Sequence, residues 1–135
     1  MNTLKGNIIQ VESSDNISIV QVEVGGDIFS SLVLEGRAGP SNYRINDQVT
    51  LLFKETEVGI AKNLSGLISF RNRFKSVIKK IDQGQILTKI TLDYKNVAIE
   101  SIISTKSAKQ LALRENDDVE WLVKSNEVTL MRKLP

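Results

Sequence analysis

The sequence predicts an all-β protein built as two tandem five-stranded barrels, with one short helix in each repeat. Three observations carry this. Short runs alternate apolar and polar residues with a period of two, as half-buried strands do. Clusters of Gly, Asn, Asp and Ser separate those runs at close intervals, as hairpins require. And the chain matches itself at a displacement of 70 residues: Asn2 with Asn72, Lys5 with Lys75, Ile8 with Ile78, Ser31 with Ser101, Ala38 with Ala108, Arg44 with Arg114, Val49 with Val119, Lys54 with Lys124. Matches registered at strand, turn and strand again point to an internal duplication.

In the first half, Lys5 to Val11 reads as a strand with Ile8, Ile9 and Val11 apolar, and Ser13-Ser14-Asp15-Asn16 as a turn. Ile17 to Val24 sets Ile17, Ile19 (with Val20), Val22 and Val24 against Ser18, Gln21 and Glu23, and Gly25-Gly26-Asp27 turns it into a third strand, Ile28 to Leu34. Glu35 to Tyr43, with Gly36, Gly39 and Pro40, reads as a loop or poorly formed helix. Gln48 to Lys54 and Val58 to Ala61 are the fourth and fifth strands. The second half repeats the plan with strands at Phe74 to Ile81, Ile86 to Leu92 and Val97 to Ile103, the turn Asp93-Tyr94-Lys95-Asn96, then Asp118 to Lys124 and Val128 to Met131. Its helix, Ser104 to Leu111, has Ser104 placed as the cap. The second hairpins align best at a displacement of 68, so one turn is expected to differ in length by two residues.

Five strands with a helix between the third and fourth is the order of the OB-fold-like small barrel. The repeats are placed at 1–66 and 67–135. A unit of roughly 65 residues buries little surface alone, so fusion and further assembly are expected to cover the apolar faces.

Composition removes several function classes. The chain has no Cys and no His, so disulfides, the usual zinc sites and Ser-His or Cys-His nucleophiles are excluded. A net charge of +2 does not by itself argue for nucleic acid. No apolar run reaches the roughly 18 residues of a membrane span. Met1 to Gly6 leads into a strand instead of a signal-peptide core, so a soluble intracellular protein is expected.

Three pieces of the second half are expected to converge: Ser69-Phe70-Arg71 at the start of a strand, Ser104-Thr105-Lys106-Ser107 at the helix start, and Lys124 near the end of the fourth strand. They supply hydroxyls, unpaired backbone N–H groups and two cations, one a forked guanidinium and one a mobile ammonium. Nothing in the set accepts protons readily or coordinates a bare metal. The chemistry it suits is holding a tetrahedral oxyanion by hydrogen bonds without transforming it.

Ile68-Ser69-Phe70-Arg71-Asn72 resembles the Ser-Ala-Arg-Asn opening of the molybdenum-pterin-binding (Mop, or TOBE) domains. Ile103 to Ala108 and Leu111 to Asp117 resemble their Ile-Thr-x-x-Ser-Ala … Leu-Gly-Leu-x-x-Gly-Asp segment, and Trp121 to Val128 their closing Ala-Leu-Ile-Lys-Ala-Ser-x-Val. The resemblance covers residues 68 to 131 in order and, through the repeat, extends more weakly to residues 2 to 62. It implies a cytoplasmic protein that binds molybdate or tungstate at sites between subunits or repeats. The oxyanion contacts it implies are Ser69, the Phe70 backbone N–H, Arg71, Ser104, Ser107 and Lys124. Phe70 replaces a small residue, Ser104 replaces Thr, and Ala112 and Asn116 stand where Gly is usual. In the first half Leu34 and Arg37 face Ser104 and Ser107, Met1 falls opposite Arg71, and only Lys54 is kept, opposite Lys124. That repeat is expected to serve as scaffold or as a side wall for a site on another repeat.

Each residue also has a plainer reading: Arg71 as a solvated charge, Ser104 as a helix cap, Lys124 as edge protection, and Trp121 as core. The function expected is molybdenum storage or homeostasis in the cytoplasm by a non-catalytic homo-oligomer, dimer or trimer, with interface sites and with neither nucleic acid nor membrane as partner. The alternatives are a ligand-sensing module acting through a transcription regulator or molybdate transporter, and a single-strand-binding barrel using Arg71, Arg73, Lys75, Lys79 and Lys80 with Phe70 and Phe74.

Overall fold

The computed structural model describes residues 1–34 and 43–132. The loop or helix expected from Glu35 onward, with Arg37 and Ala38, lies outside the described residues save for Tyr43. The strands are β1 (Asn2–Ser14), β2 (Ile17–Val24), β3 (Asp27–Leu34), β4 (Gln48–Phe53), β5 (Gly59–Ala61), β6 (Asn72–Gln83), β7 (Leu87–Tyr94), β8 (Val97–Ser104), β9 (Asp118–Val123) and β10 (Thr129–Arg132). The helix α1 is Thr105–Gln110, and single 3-10 turns, Glu55–Glu57 and Ser125–Glu127, follow β4 and β9. Among the described residues no helix is long and apolar enough to cross a membrane.

All pairings are antiparallel and form two five-stranded sheets, in the orders β10-β4-β1-β2-β3 and β5-β9-β6-β7-β8. The strand number per sheet is the one the sequence predicts. The membership differs: the repeats exchange their last strands, so β5 pairs with β9 and β10 pairs with β4. Alternation specifies a strand but not its partner. Here the partner is set by the chain leaving each 3-10 turn, where Ser101 Oγ donates to the Val58 carbonyl (2.6 Å) and Ser31 Oγ to the Val128 carbonyl (2.6 Å). Each bond draws the outgoing chain across to the other repeat.

The displacement of 70 holds throughout, which corrects the shift of 68 expected for the second hairpin. Val24 pairs with Asp27 as Tyr94 does with Val97, and Ile17 with Leu34 as Leu87 does with Ser104. Tyr94 is therefore the last residue of β7 and buried, and the turn is Lys95-Asn96, both at positive φ. Its counterpart is Gly25-Gly26, also both at positive φ, as a two-residue hairpin connection demands. The inward face of β2 is Ser18, Val20, Val22 and Val24, while Ile17 and Ile19 point outward, 44% and 38% exposed. The alternation had placed these two isoleucines inside.

A bulge in β1 between Ile8 and Gln10 recurs in β6 between Ile78 and Lys80. There the strand bends to meet the next turn: Ile8 N–H donates to the Asp47 carbonyl and Ile78 N–H to that of Asp117, both at 2.9 Å.

One core serves both repeats. Phe29 and Phe53 come from the first, and Phe74, Tyr94 and Trp121 from the second. Phe29 stacks on Phe74 with ring centroids 4.0 Å apart, Phe53 on Trp121 at 5.6 Å, and Tyr94 meets Trp121 edge-on at 5.2 Å. Trp121 is fully buried, as expected of a core residue, though its indole N–H has no hydrogen-bond partner among the described residues. Beside it the Tyr94 hydroxyl donates to Asp27 Oδ2 at 2.6 Å. Burial, and then that bond, hold the hydroxyl well above the ordinary tyrosine range.

Candidate functional site

Ser69, Phe70 and Arg71 run directly into β6, whose first residue is Asn72. The Asn72 side chain is fully buried against the open edge of β3. Its Oδ1 accepts from the Ser30 N–H (2.7 Å) and its Nδ2 donates to the Ser30 carbonyl (2.8 Å). One amide thus replaces the missing neighbour strand, satisfies both edge groups and fixes the chain that carries Arg71. Beyond β9, Lys124 has extended backbone and begins the 3-10 turn, closed by Glu127 N–H donating to the Lys124 carbonyl at 2.9 Å.

These two stretches face one another across a cleft of about 300 Å³ lined by Ser69, Phe70, Arg71, Lys124, Ser125, Asn126 and Leu32. Four of the six residues expected at the site therefore meet. Arg71, Lys124, Ser69 and Asn126 are exposed and Phe70 half-buried. Among the described residues neither Arg71 nor Lys124 makes an ion pair. Their charge is open to a ligand. Arg73 contrasts with them. It forks onto the Glu120 carboxylate and also donates to the Leu64 carbonyl (3.2 Å). That guanidinium holds the Glu120 carboxyl below the usual carboxylate range.

Ser104 and Ser107 do not line this cleft. They form a second, exposed pair at the start of α1: Ser107 N–H donates to Ser104 Oγ (3.0 Å), and Ser104 Oγ donates to Ser107 Oγ (2.8 Å). Ser104 is the expected cap, with its hydroxyl committed inside the pair.

Sequence reasoning missed Leu32, Ser125 and Asn126. The last two adjoin Lys124 and were within reach of inspection. Leu32 is brought in from the other repeat and carries no local signal. In the first repeat the position of Arg71 is taken by Met1, whose ammonium pairs with Glu55 where the second repeat has Ser125. Leu34, opposite Ser104, is 73% exposed. The aromatics that a single strand would need are not available either. Phe74 is buried against Phe29, which leaves the half-buried Phe70.

Residues 68–130 match the TOBE domain model. None of the curated proteins matches the chain. Among solved structures, the cytoplasmic molybdate-binding protein ModG, crystallised with molybdate bound, superposes with a TM-score of 0.91 at 21% identity, over 98% of this chain and 96% of that one. It shares the fold of both repeats. A molybdate binding protein from Sporomusa ovata is 34% identical over its entire length, matching 52% of this chain, with a TM-score of 0.46. Residues 68–130, which carry the Ser-x-Arg-Asn opening and the Lys124 segment that frame the cleft, are a TOBE domain.

Proposed function

We propose that this protein binds molybdate or tungstate in the cytoplasm, without catalysis, for molybdenum storage or homeostasis. The observation that carries the reading is the facing of Arg71 and Lys124, neither ion-paired among the described residues, across one cleft that also holds Ser69 and Phe70. Two cations balance a dianion, while a hydroxyl and the Phe70 N–H supply fixed donors for its oxygens. The TOBE match and the shared fold with a molybdate-binding protein support it.

The working site lies in the repeat 67–135, and the repeat 1–66 is degenerate. In that first repeat Met1 and Glu55 pair where Arg71 and Ser125 stand in the second. Ser104 and Ser107 belong to the same oxyanion site but are supplied by a second copy of the chain, because within one chain they stand outside the cleft. A homo-oligomer, dimer or trimer, follows from that reading. The outward face of β2 and β3 suits such assembly: Ile17, Ile19, Ile28 and Leu34 are exposed on it, and Leu32 continues it to the cleft.

Calorimetric titration with molybdate and tungstate, with sulfate and phosphate as controls, tests the reading. Both larger anions are expected to bind, and Arg71→Ala to weaken them by about 10- to 100-fold, the value of one or two charge-assisted hydrogen bonds. Sedimentation of the same samples checks the oligomer. Absence of heat with either anion overturns the oxyanion reading.

A further inference from the structure

We propose that β3 of the first repeat acts as the calliper of the anion cleft: Ser30, Ser31 and Leu32 together set the distance between Arg71 and Lys124, and so the size of anion accepted. The inference rests on the oxyanion reading of that cleft. It assigns selectivity to residues that need touch no anion, two of them outside the cleft and all three in the degenerate repeat.

Three consecutive residues of one edge strand act in three directions. In the plane of the sheet, the Ser30 backbone holds the Asn72 amide through both its N–H and its carbonyl, which anchors the residue bonded to Arg71. Towards the core, the fully buried Ser31 hydroxyl donates to the Val128 carbonyl at 2.6 Å. Val128 closes the 3-10 turn that Lys124 opens, its N–H donating to the Ser125 carbonyl at 3.4 Å. Outward, Leu32 forms the wall between the two cationic banks. The two banks are thus tied to adjacent residues of a strand, whose Cα atoms are about 3.8 Å apart and cannot separate. A cleft so fixed accepts an anion of one size well. A smaller tetrahedral dianion such as sulfate does not bridge both cations without moving a bank, and β3 resists that movement.

The pseudo-twofold supplies an internal control. On β8, Glu100 is clamped by Asn2 through both backbone groups at 2.8 Å, and Ser101 Oγ donates to the Val58 carbonyl at 2.6 Å. These are the same bonds around a repeat with no Ser-x-Arg element. A purely structural role would make the two serines equivalent.

The test compares Ser31→Ala with Ser101→Ala in the full chain, reading thermal stability and calorimetric titration with molybdate and with sulfate. The two substitutions are expected to lower Tm by similar amounts. Only Ser31→Ala is expected to lose molybdate affinity, by about 10-fold, a factor set by one hydrogen bond, and to narrow the preference for molybdate over sulfate. Leu32→Ala, which leaves every buried hydrogen bond in place, is expected to narrow that preference too. If wild type binds molybdate and Ser31→Ala and Leu32→Ala keep its affinity and selectivity, the calliper is overturned alone. Equal losses in Ser31→Ala and Ser101→Ala overturn it as well. A wild-type chain that takes up neither anion overturns the oxyanion reading, and the calliper with it.

Discussion

At the scale of single residues, the two departures from family glycines behave differently. Asn116 takes the left-handed conformation expected of it, φ 71°. Ala112 takes it as well, at φ 50°, directly after the turn that ends α1. A left-handed alanine costs roughly 1–2 kcal/mol. Glycine there would lose about 0.5–1 kcal/mol of that gain to its freer unfolded chain. Ala112→Gly is therefore expected to stabilise the protein by about 0.5–1 kcal/mol, seen as a Tm higher by about 2–4 °C; an unchanged or lower Tm contradicts it. The pair Arg73–Glu120 gives a pH signature. The Glu120 carboxyl is held below its ordinary value when folded, so its contribution is complete above that value and is lost as pH falls through the lowered one. Urea midpoints measured from pH 6 to pH 3 should fall less steeply for Glu120→Gln than for wild type, with the variant already lower at pH 6. At this scale the site was half legible: Ser69, Arg71 and Lys124 stand in motifs that can be read locally, whereas Leu32 reaches the cleft only through tertiary packing.

At the scale of elements, strand order and the capped helix were legible because each rests on local chemistry, while the turns were placed only to within two residues: Ser13, Ser14, Asp93 and Tyr94, expected in turns, end strands. Register and partners were not legible. A slip of two residues leaves every side chain on its own face, so alternation alone cannot separate a displacement of 68 from one of 70. Turn geometry decides it: Lys95-Asn96 takes the same two-residue, left-handed connection as Gly25-Gly26. The inward face of β2 was misjudged because Ser18 is buried in the sheet while Ile17 and Ile19 look outward, a choice made by neighbouring strands. Pairing also explains Gly6. A Cβ there would lie 2.4 Å from the Glu23 carbonyl oxygen and 2.6 Å from Val22 Cγ1. Its counterpart Ser76 instead donates to the Asp93 carbonyl at 2.6 Å. Gly6→Ala forces β1 and β2 apart and is expected to cost about 1–3 kcal/mol, read from urea unfolding. A change within 0.5 kcal/mol would mean that the strands separate more easily than this packing allows.

At the scale of the molecule, the exchange of last strands makes two sequence repeats into one cooperative body. Each sheet takes a strand from the other half, and the aromatic cluster draws on both. Asn2 and Asn72 clamp opposite edge strands, and Lys62 of the first repeat pairs with Asp117 of the second at 3.0 Å. Unfolding one repeat alone would strip Trp121 of Phe53 and Phe29 and remove a strand from the remaining sheet. Neither half then keeps a core to stand on, so no half-folded state is expected to accumulate. Trp121 is the one tryptophan of the sequence and sits in that shared cluster, so its fluorescence reports the junction while far-UV circular dichroism reports both sheets. The two signals should give one coincident urea transition. The repeat 67–135 expressed alone lacks β5, and the pseudo-twofold offers one remedy: β10 of a second copy laid against β9. That fragment is expected to fold only as a dimer, with a Tm that rises with concentration. A monomeric 67–135 with a concentration-independent transition, or separated fluorescence and dichroism curves in the full chain, would show that the exchanged strands do not couple the halves.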